Sequence, residues 1–216
     1  MKRTLLFVCL LVFCNLTLLG QTGRIPRIAH TTEKSAIHVP PQEAPAGLKT
    51  IFSNLGKSKT DLYNDSSGLS LEGPNAANGA VFVGTAFTPK ANSHVSQVRV
   101  AVGHLSGANQ VNFSLYADLG GAPGTLLAGP VTVTNLPTFG TCCLLAVANF
   151  PLVAVTGGTQ YWVTADTPLT GTGSDFYGGW YFVAPSVPDT VNTGSGWVQY
   201  TFFGGDVAGE VLGTIP

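Results

Sequence analysis

Two stretches of the chain alternate apolar and polar residues with a period of two, and this pattern restricts the fold more than any other feature. In Val98–Val102 the valines take every second position, and Arg99 lies between two of them. In Val111–Tyr116 the apolar residues alternate with Asn112 and Ser114. Because successive side chains of a strand point to opposite faces, both stretches predict half-buried β-strands.

Short apolar runs of similar length recur along the chain, and turn-forming residues separate them. Residues 106–109 and 118–124, with their Gly, Asn and Asp, are two such turns. The candidate strands are residues 50–54, 80–87, 98–102, 111–116, 126–134, 144–149, 159–165, 176–183, 197–203 and 207–213. About ten short strands at this spacing predict an all-β fold, an antiparallel β-sandwich of the jelly-roll kind.

Composition agrees with a β fold and indicates the domain limits. The chain has 27 Gly and 14 Pro residues and a charged fraction of only 10%, which favours strands and turns over helices. Residues 50–216 are predicted to form one sandwich domain. Residues 21–49 contain Pro26, Pro40, Pro41 and Pro45, and this composition predicts a flexible tail.

The N-terminus has the layout of a secretory signal peptide. Lys2 and Arg3 precede an apolar run from Leu5 to Phe13, which is too short to cross a bilayer as a helix. We predict a signal peptide over residues 1–20 and an exported protein, secreted or periplasmic, with no stable membrane span after processing. Two alternatives stay open, namely lipidation at Cys14 and an uncleaved membrane anchor.

Charged residues are unevenly distributed along the chain. No Lys or Arg follows Arg99, whereas six acidic residues do. Nucleic acid is not an expected partner, because phosphate contacts need clustered cations. No cofactor is expected, although an acidic half could hold Ca²⁺, which prefers oxygen ligands. Asp118 is the candidate metal ligand; the alternative is a turn in which Asp118 accepts backbone N–H bonds and the nearby glycines adopt positive φ.

Two adjacent cysteines, Cys142 and Cys143, follow the predicted signal peptide. In an oxidising compartment they can pair with each other, pair between chains or stay free. Neighbouring Cα atoms lie closer than in ordinary disulfides, and such a ring closes almost no loop. We predict a vicinal disulfide whose role is to stiffen a turn.

Several short motifs occur in an order that resembles one protein family. They are FSNLG (52–56), Tyr63-Asn64, Phe87-Thr88-Pro89, VAVGHLSGANQVNFSLYADLGGAPG (100–124), NLPTFGTCC (135–143) and GTQYWV (158–163). Together they resemble the choice-of-anchor R domain of exported bacterial proteins. The resemblance implies a secreted or surface-displayed protein; the molecular role of such domains is not established, and no functional residue is carried over. The sequence after Glu210 has no sorting motif, so a soluble exported protein is expected rather than an anchored one.

The sequence lacks the motifs of common hydrolases. Neither the nucleophile elbow GxSxG nor the zinc motif HExxH occurs. A glycosidase would need two carboxylates about 5–10 Å apart. The candidates are Asp118, Asp166, Asp175 and Asp206. Six acids on a β domain are expected without any catalytic role, so we predict that the chain is not an enzyme.

Aromatic residues are concentrated near the C-terminal end, and some of them are expected to be exposed. Exposed rings stack on the apolar faces of sugars, while carboxylates accept hydrogen bonds from sugar hydroxyls. The candidate ligand-binding residues are Asp175, Tyr177, Trp180 and Trp197. We therefore predict a non-catalytic exported binding module for a glycan or cell-envelope polymer. The alternatives are a structural or adhesive surface protein acting through protein contacts, and a carboxylate-based glycoside hydrolase.

Overall fold

The chain folds as an antiparallel β-sandwich, as predicted. The structure, a computed structural model, describes residues 28–30, 39, 43–58, 60–183, 189–200 and 206–216. The predicted signal peptide, residues 1–20, lies outside these ranges. Within the described part, no helix is long and apolar enough to cross a membrane.

Strands of two to twelve residues make up the regular structure of the described part. They are β1 (Ile28–His30), β2 (Lys49–Ser53), β3 (Asn64–Glu72), β4 (Phe82–Phe87), β5 (Ser93–Val100), β6 (Val102–Ser106), β7 (Gln110–Asp118), β8 (Pro123–Thr134), β9 (Ala146–Val155), β10 (Tyr161–Asp166), β11 (Tyr177–Val183), β12 (Asp189–Asn192), β13 (Trp197–Tyr200), β14 (Asp206–Val207) and β15 (Gly209–Thr214).

One layer of the sandwich is a six-stranded sheet with the order β13-β12-β4-β10-β7-β8. The other layer consists of two smaller sheets. In the first, β1 and β3 lie on one side of β11, while β6 and β14 pair along its other side. The second has the order β2-β15-β5-β9. All of these pairings are antiparallel.

The two smaller sheets are joined where β5 continues into β6 and β14 continues into β15. A single residue separates the strands in each case, Ala101 and Ala208 respectively. The Ala101 N–H donates to the Ala208 carbonyl, the Ala208 N–H to the Tyr181 carbonyl, and the Tyr181 N–H to the Ala101 carbonyl. This ring of backbone hydrogen bonds keeps the backbone paired where strands leave one sheet and enter the other.

The main core lies between the two layers and consists of alternate residues of their strands. As the alternation predicts, Val98, Val100 and Val102 are completely or almost completely buried in it. Arg99 points to the opposite face, where its guanidinium lies 2.8 Å from the Glu210 carboxylate. Trp180 of β11 packs edge-on against Phe113 of the facing sheet, with ring centroids 6.4 Å apart. Large aromatic rings therefore fill the space between the layers.

A smaller cluster lies on the outer face of β11 and contains the vicinal disulfide, which confirms the prediction of a Cys142–Cys143 bond. Tyr181 is stacked between Phe139 and Tyr63, with ring centroids 4.4 and 4.8 Å from its own. The Tyr63 hydroxyl donates to the carbonyls on either side of the cystine, at Thr141 and Leu144. Burial raises the pKa of both phenols, that of Tyr181 to about 12, so both stay protonated and can donate.

Part of the segment predicted as a flexible tail belongs to the folded body. Ile28–His30 pairs with β3. Val39 exchanges two backbone hydrogen bonds with the cystine, donating to the Cys142 carbonyl and accepting from the Cys143 N–H. The sequence pattern missed both contacts, because their partners come from distant parts of the chain.

A buried acid at the start of β12 links the two layers. One oxygen of Asp189 accepts the Val207 N–H of β14 at 3.0 Å, and the other has no hydrogen-bond partner among the described residues. Burial, together with the negative charge of Asp206, raises the pKa of Asp189 well above its usual range. The folded state therefore favours the protonated form of this carboxyl.

Candidate functional site

The four candidate ligand-binding residues do not form one site. Trp180 has no exposed surface, and its Nε1 donates to the Ala208 carbonyl at 2.8 Å, so its expected role as an exposed ring is wrong. Tyr177 is half-buried on the opposite side of β11, because odd and even residues of a strand face opposite ways. Asp175 is exposed and accepts the Ala108 N–H, while Trp197 lies in the other layer on β13.

Trp197 belongs instead to the outer face of the six-stranded sheet. On its inner face this sheet contributes residues such as Val83, Phe113 and Val163 to the main core. The residues between them point outward, and the strand register places them in rows across the sheet. The outward residues that matter below are Asn112, Ser114, Tyr116, Thr132, Trp162, Thr164, Asp166, Thr190, Trp197 and Gln199. We call this surface the curled face.

The sheet bends strongly toward this side. Gln199 lies on the edge strand β13, and Gly121 lies in the loop between the two strands at the opposite edge. A Cβ at Gly121 would nevertheless come within 4.0 Å of the Gln199 amide. Five strand spacings in a flat sheet would separate the edges by about 24 Å. The curled face is therefore concave.

The indole of Trp197 reaches over the neighbouring strands of the curled face. A Cβ at Gly84 of β4 would lie 3.5 Å from the Trp197 ring and 2.9 Å from the Thr190 hydroxyl. Glycine at this position makes room for both groups. The ring is half-buried, which leaves part of its surface to solvent.

Two hydroxyls beside Gly84 are buried without a hydrogen-bond partner among the described residues. They belong to Thr164 and Thr190, and both side chains are completely buried. A buried polar group without a partner costs free energy, and most such groups are satisfied by water or by a ligand. The floor of the curled face therefore has unused hydrogen-bonding capacity.

A directional row of hydrogen bonds crosses three strands at one end of the curled face. The Thr132 hydroxyl donates to Asn112 Oδ1 at 2.9 Å, and Asn112 Nδ2 donates to Asp166 Oδ1 at 3.2 Å. Burial raises the pKa of Asp166 to about 6, although the hydrogen bond from Asn112 opposes this shift. Burial and the nearby charge of Asp166 also raise the pKa of Tyr116, whose ring is half-buried.

Asp118 ends β7 at the other end of the curled face and is surrounded by N–H donors. Its Oδ1 accepts from Trp162 Nε1 and Gln160 Nε2, both at 2.7 Å, and its Oδ2 accepts from the Gly121 N–H at 3.2 Å. Despite the opposing effect of burial, these bonds hold the pKa of Asp118 below its usual value. Gly120 and Gly121 have positive φ, as the turn interpretation predicts.

These contacts favour a structural role for Asp118 over a Ca²⁺ site. Ca²⁺ needs six to eight oxygen ligands around it, whereas three nitrogen donors point at this carboxylate. No group of three or more His, Cys, Asp or Glu side chains that could hold a metal occurs among the described residues.

The sequence pattern did not indicate Tyr116, Asn112 and Thr132 as candidates, and it indicated Asp166 only as a candidate carboxylate of a glycosidase pair. The alternation in β7 contains the signal, because Asn112, Ser114 and Tyr116 must face away from the buried Val111, Phe113 and Leu115. Their clustering with residues of β8, β10 and β13 depends on strand order, which the local pattern does not contain.

No model of a known protein family matches the chain, and no curated protein is similar to it. The resemblance to choice-of-anchor R domains stays a prediction.

Proposed function

We propose that the chain is an exported, non-catalytic glycan-binding module whose ligand lies on the curled face. One observation carries the proposal: a concave sheet face combines the half-exposed rings of Trp197 and Tyr116 with a row of polar groups that ends at Asp166. Binding sites in proteins are typically concave and lined by rings, with a few placed polar groups.

The chemistry of these groups suits a sugar. A pyranose ring has apolar C–H faces, which stack on an indole or phenol, and equatorial hydroxyls, which donate to carboxylate and hydroxyl oxygens. Trp197 and the Asp166–Asn112 pair lie in the same row across the sheet. An extended oligosaccharide that follows this row would contact both.

The acids of the curled face do not suit glycoside hydrolysis. Asp166 pairs with Asn112 in the register, and Asp118 lies six residues further along the same strand, β7. Six residues of a strand span about 20 Å, whereas a glycosidase pair needs about 5–10 Å. This separation supports a module that binds without cleaving.

Two features support export, one in the sequence and one in the structure. One is the predicted signal peptide over residues 1–20. The other is the cystine, since disulfides persist mainly in oxidising compartments outside the cytoplasm.

The proposal is tested by screening the purified mature protein on an array of bacterial and plant glycans and by titrating the best ligand calorimetrically. We expect Trp197→Ala to weaken binding about tenfold or more, which is the effect of losing about 1.4 kcal/mol of contact energy. The matched control is Tyr177→Ala, a half-buried aromatic residue of the opposite layer, which should change binding less than twofold. Thermal unfolding confirms that both variants are folded.

Two outcomes would overturn the proposal. Loss of binding in Tyr177→Ala alone would locate the site near Asp175 and Tyr177. No binding to any glycan would instead favour the protein-contact alternative, for which β13 offers an edge that pairs with no second strand of the described part, with Val198 52% exposed.

A further inference from the structure

The polar row on the curled face has a fixed direction of donation. The Thr132 hydroxyl and the Asn112 amide both donate along the row, toward Asp166, which only accepts in its ionised form. The second oxygen of Asp166 has no hydrogen bond to a described residue. The row therefore offers an acceptor to a ligand, and it suits a hydroxyl or N–H donor.

The whole six-stranded sheet also lacks a basic side chain. Five of its strands follow Arg99, after which the sequence contains no Lys or Arg, and the sixth, Phe82–Phe87, contains none either. Lys90 lies beyond the Phe87 end of β4, whereas Asp166 lies beside Phe82 at the other end. Arg99 is paired with Glu210 in the other layer.

An anionic ligand would therefore meet acceptors and negative charge on this face. Bringing a carboxylate, phosphate or sulfate group near the ionised Asp166 costs free energy, because no strand of this sheet carries a Lys or Arg and the concave surface limits access of water. A neutral sugar hydroxyl has no such penalty and supplies the donor that Asp166 needs.

We propose that the curled face selects uncharged glycans and rejects polymers that carry carboxylate, phosphate or sulfate groups. This inference rests on the proposed function and adds the class of ligand. Asp166 is its specificity-determining residue.

The test compares one polymer in two charge states. The neutral polysaccharide that binds best on the array is oxidised at C6, which converts primary hydroxyls to carboxylates without changing the chain. Calorimetry at neutral pH measures both forms in low and in high salt. We expect the oxidised form to bind about tenfold or more weakly in low salt, and the difference to shrink in high salt, because salt screens repulsion.

Thr134→Lys tests the charge argument separately. Thr134 is exposed on β8 and lies one row beyond Thr132 on the same face, outside the hydrogen-bonded row. The lysine should raise the affinity for the oxidised polymer several-fold, whereas Thr134→Glu should not raise it.

The possible failures are distinguishable. Equal binding of both polymer forms in low salt overturns the inference and leaves the proposed function intact. If neither salt nor Thr134→Lys changes the difference in affinity between the two polymer forms, the difference reflects the loss of a hydroxyl contact. This outcome also overturns the charge argument. If no polysaccharide binds, the proposed function itself fails.

Discussion

Trp162 Nε1 donates a hydrogen bond to Asp118 Oδ1 at 2.7 Å, and this bond ties the loop after β7 to the neighbouring strand β10. The Trp162 side chain is completely buried, so its N–H depends on this partner. The same carboxylate holds the Gly121 N–H, and Gly121 is the residue that approaches Gln199 across the curled face. Asp118 therefore stabilises one rim of the proposed site.

Replacing Asp118 with Ala should lower the free energy of unfolding by about 1–3 kcal/mol, because a buried indole N–H would lose its partner. Urea unfolding followed by tryptophan fluorescence measures this effect. Asp61→Asn, at an exposed acid, is the control and should change stability by less than about 0.5 kcal/mol. Equal stabilities of the two variants would contradict the structural role of Asp118.

The same unfolding curves, recorded with EDTA and with Ca²⁺, test the metal hypothesis for Asp118. A ligand that binds only the folded state stabilises it. We expect no shift of the midpoint on adding Ca²⁺ to the wild-type protein. A Ca²⁺-dependent rise that disappears in Asp118→Ala would show instead that Asp118 is a metal ligand.

Asp189→Asn should make stability less dependent on pH. The folded state raises the pKa of this acid, so it binds the proton at pH values where the unfolded chain has released it. The stability linked to Asp189 is therefore highest in acid. It is lost as the pH rises from 3.8, the pKa of the carboxyl in the unfolded chain, toward its raised pKa in the folded state. In Asp189→Asn the side-chain amide oxygen still accepts the Val207 N–H, and the side chain no longer titrates, so this loss of stability with rising pH disappears.

Urea unfolding of wild type and Asp189→Asn between pH 4 and pH 8 measures the difference. The free energy of unfolding should fall less with rising pH in the variant. Asp189→Ala is the control and should be less stable at every pH, because the buried Val207 N–H loses its acceptor. Parallel pH profiles of wild type and Asp189→Asn would show that the acid is ionised in the folded state.

Binding to a neutral glycan should strengthen as pH rises through about 6, the pKa of Asp166. The ionised carboxylate accepts charge-assisted hydrogen bonds, which are stronger than neutral ones. We expect affinity several-fold higher at pH 8 than at pH 5, and no such change in Asp166→Asn. A wild-type affinity that does not vary with pH would mean that Asp166 makes no contact with the ligand.

The Cys142–Cys143 bond predicts the thiol content of the mature protein. Denatured under non-reducing conditions, it should contain no reactive thiol, and after reduction it should contain two. Two reactive thiols before reduction would contradict the disulfide. Peptide mapping distinguishes the vicinal bond from a bond between two chains.

Some strands could be predicted from the sequence and others could not, for a physical reason. The strands around Val98 and Val111 carry apolar residues on one face and polar residues on the other, so the alternation is visible in the sequence. The structure corrects the expectation that they are half-buried, because Arg99, Asn112 and Ser114 on the polar faces are buried as well. The strand Asn64–Glu72 was missed, because its Asn, Asp, Ser and Gly residues are typical of turns. Gly68 is required there, because a Cβ at this position would clash with the Trp180 carbonyl of the adjacent strand.

The expected exposure of Trp180 is wrong, whereas the binding role of Trp197 stays a prediction. Both faces of β11 are buried, with Trp180 in the main core and Tyr181 in the cluster around the disulfide. The sequence YGGWYFV therefore has no polar residue that marks an outer face. Trp197 lies on an edge strand beside exposed residues and is itself only partly buried.

Acrylamide quenching of tryptophan fluorescence tests most directly whether glycans bind to the curled face. Of the three tryptophans, Trp162 and Trp180 are completely buried, so Trp197 should account for the quenching of the free protein. A saturating glycan should protect Trp197 from acrylamide. The quenching that remains in the complex should then equal the quenching of the Trp197→Phe variant without glycan. Unchanged quenching at a glycan concentration that calorimetry shows to be saturating would contradict binding at the curled face.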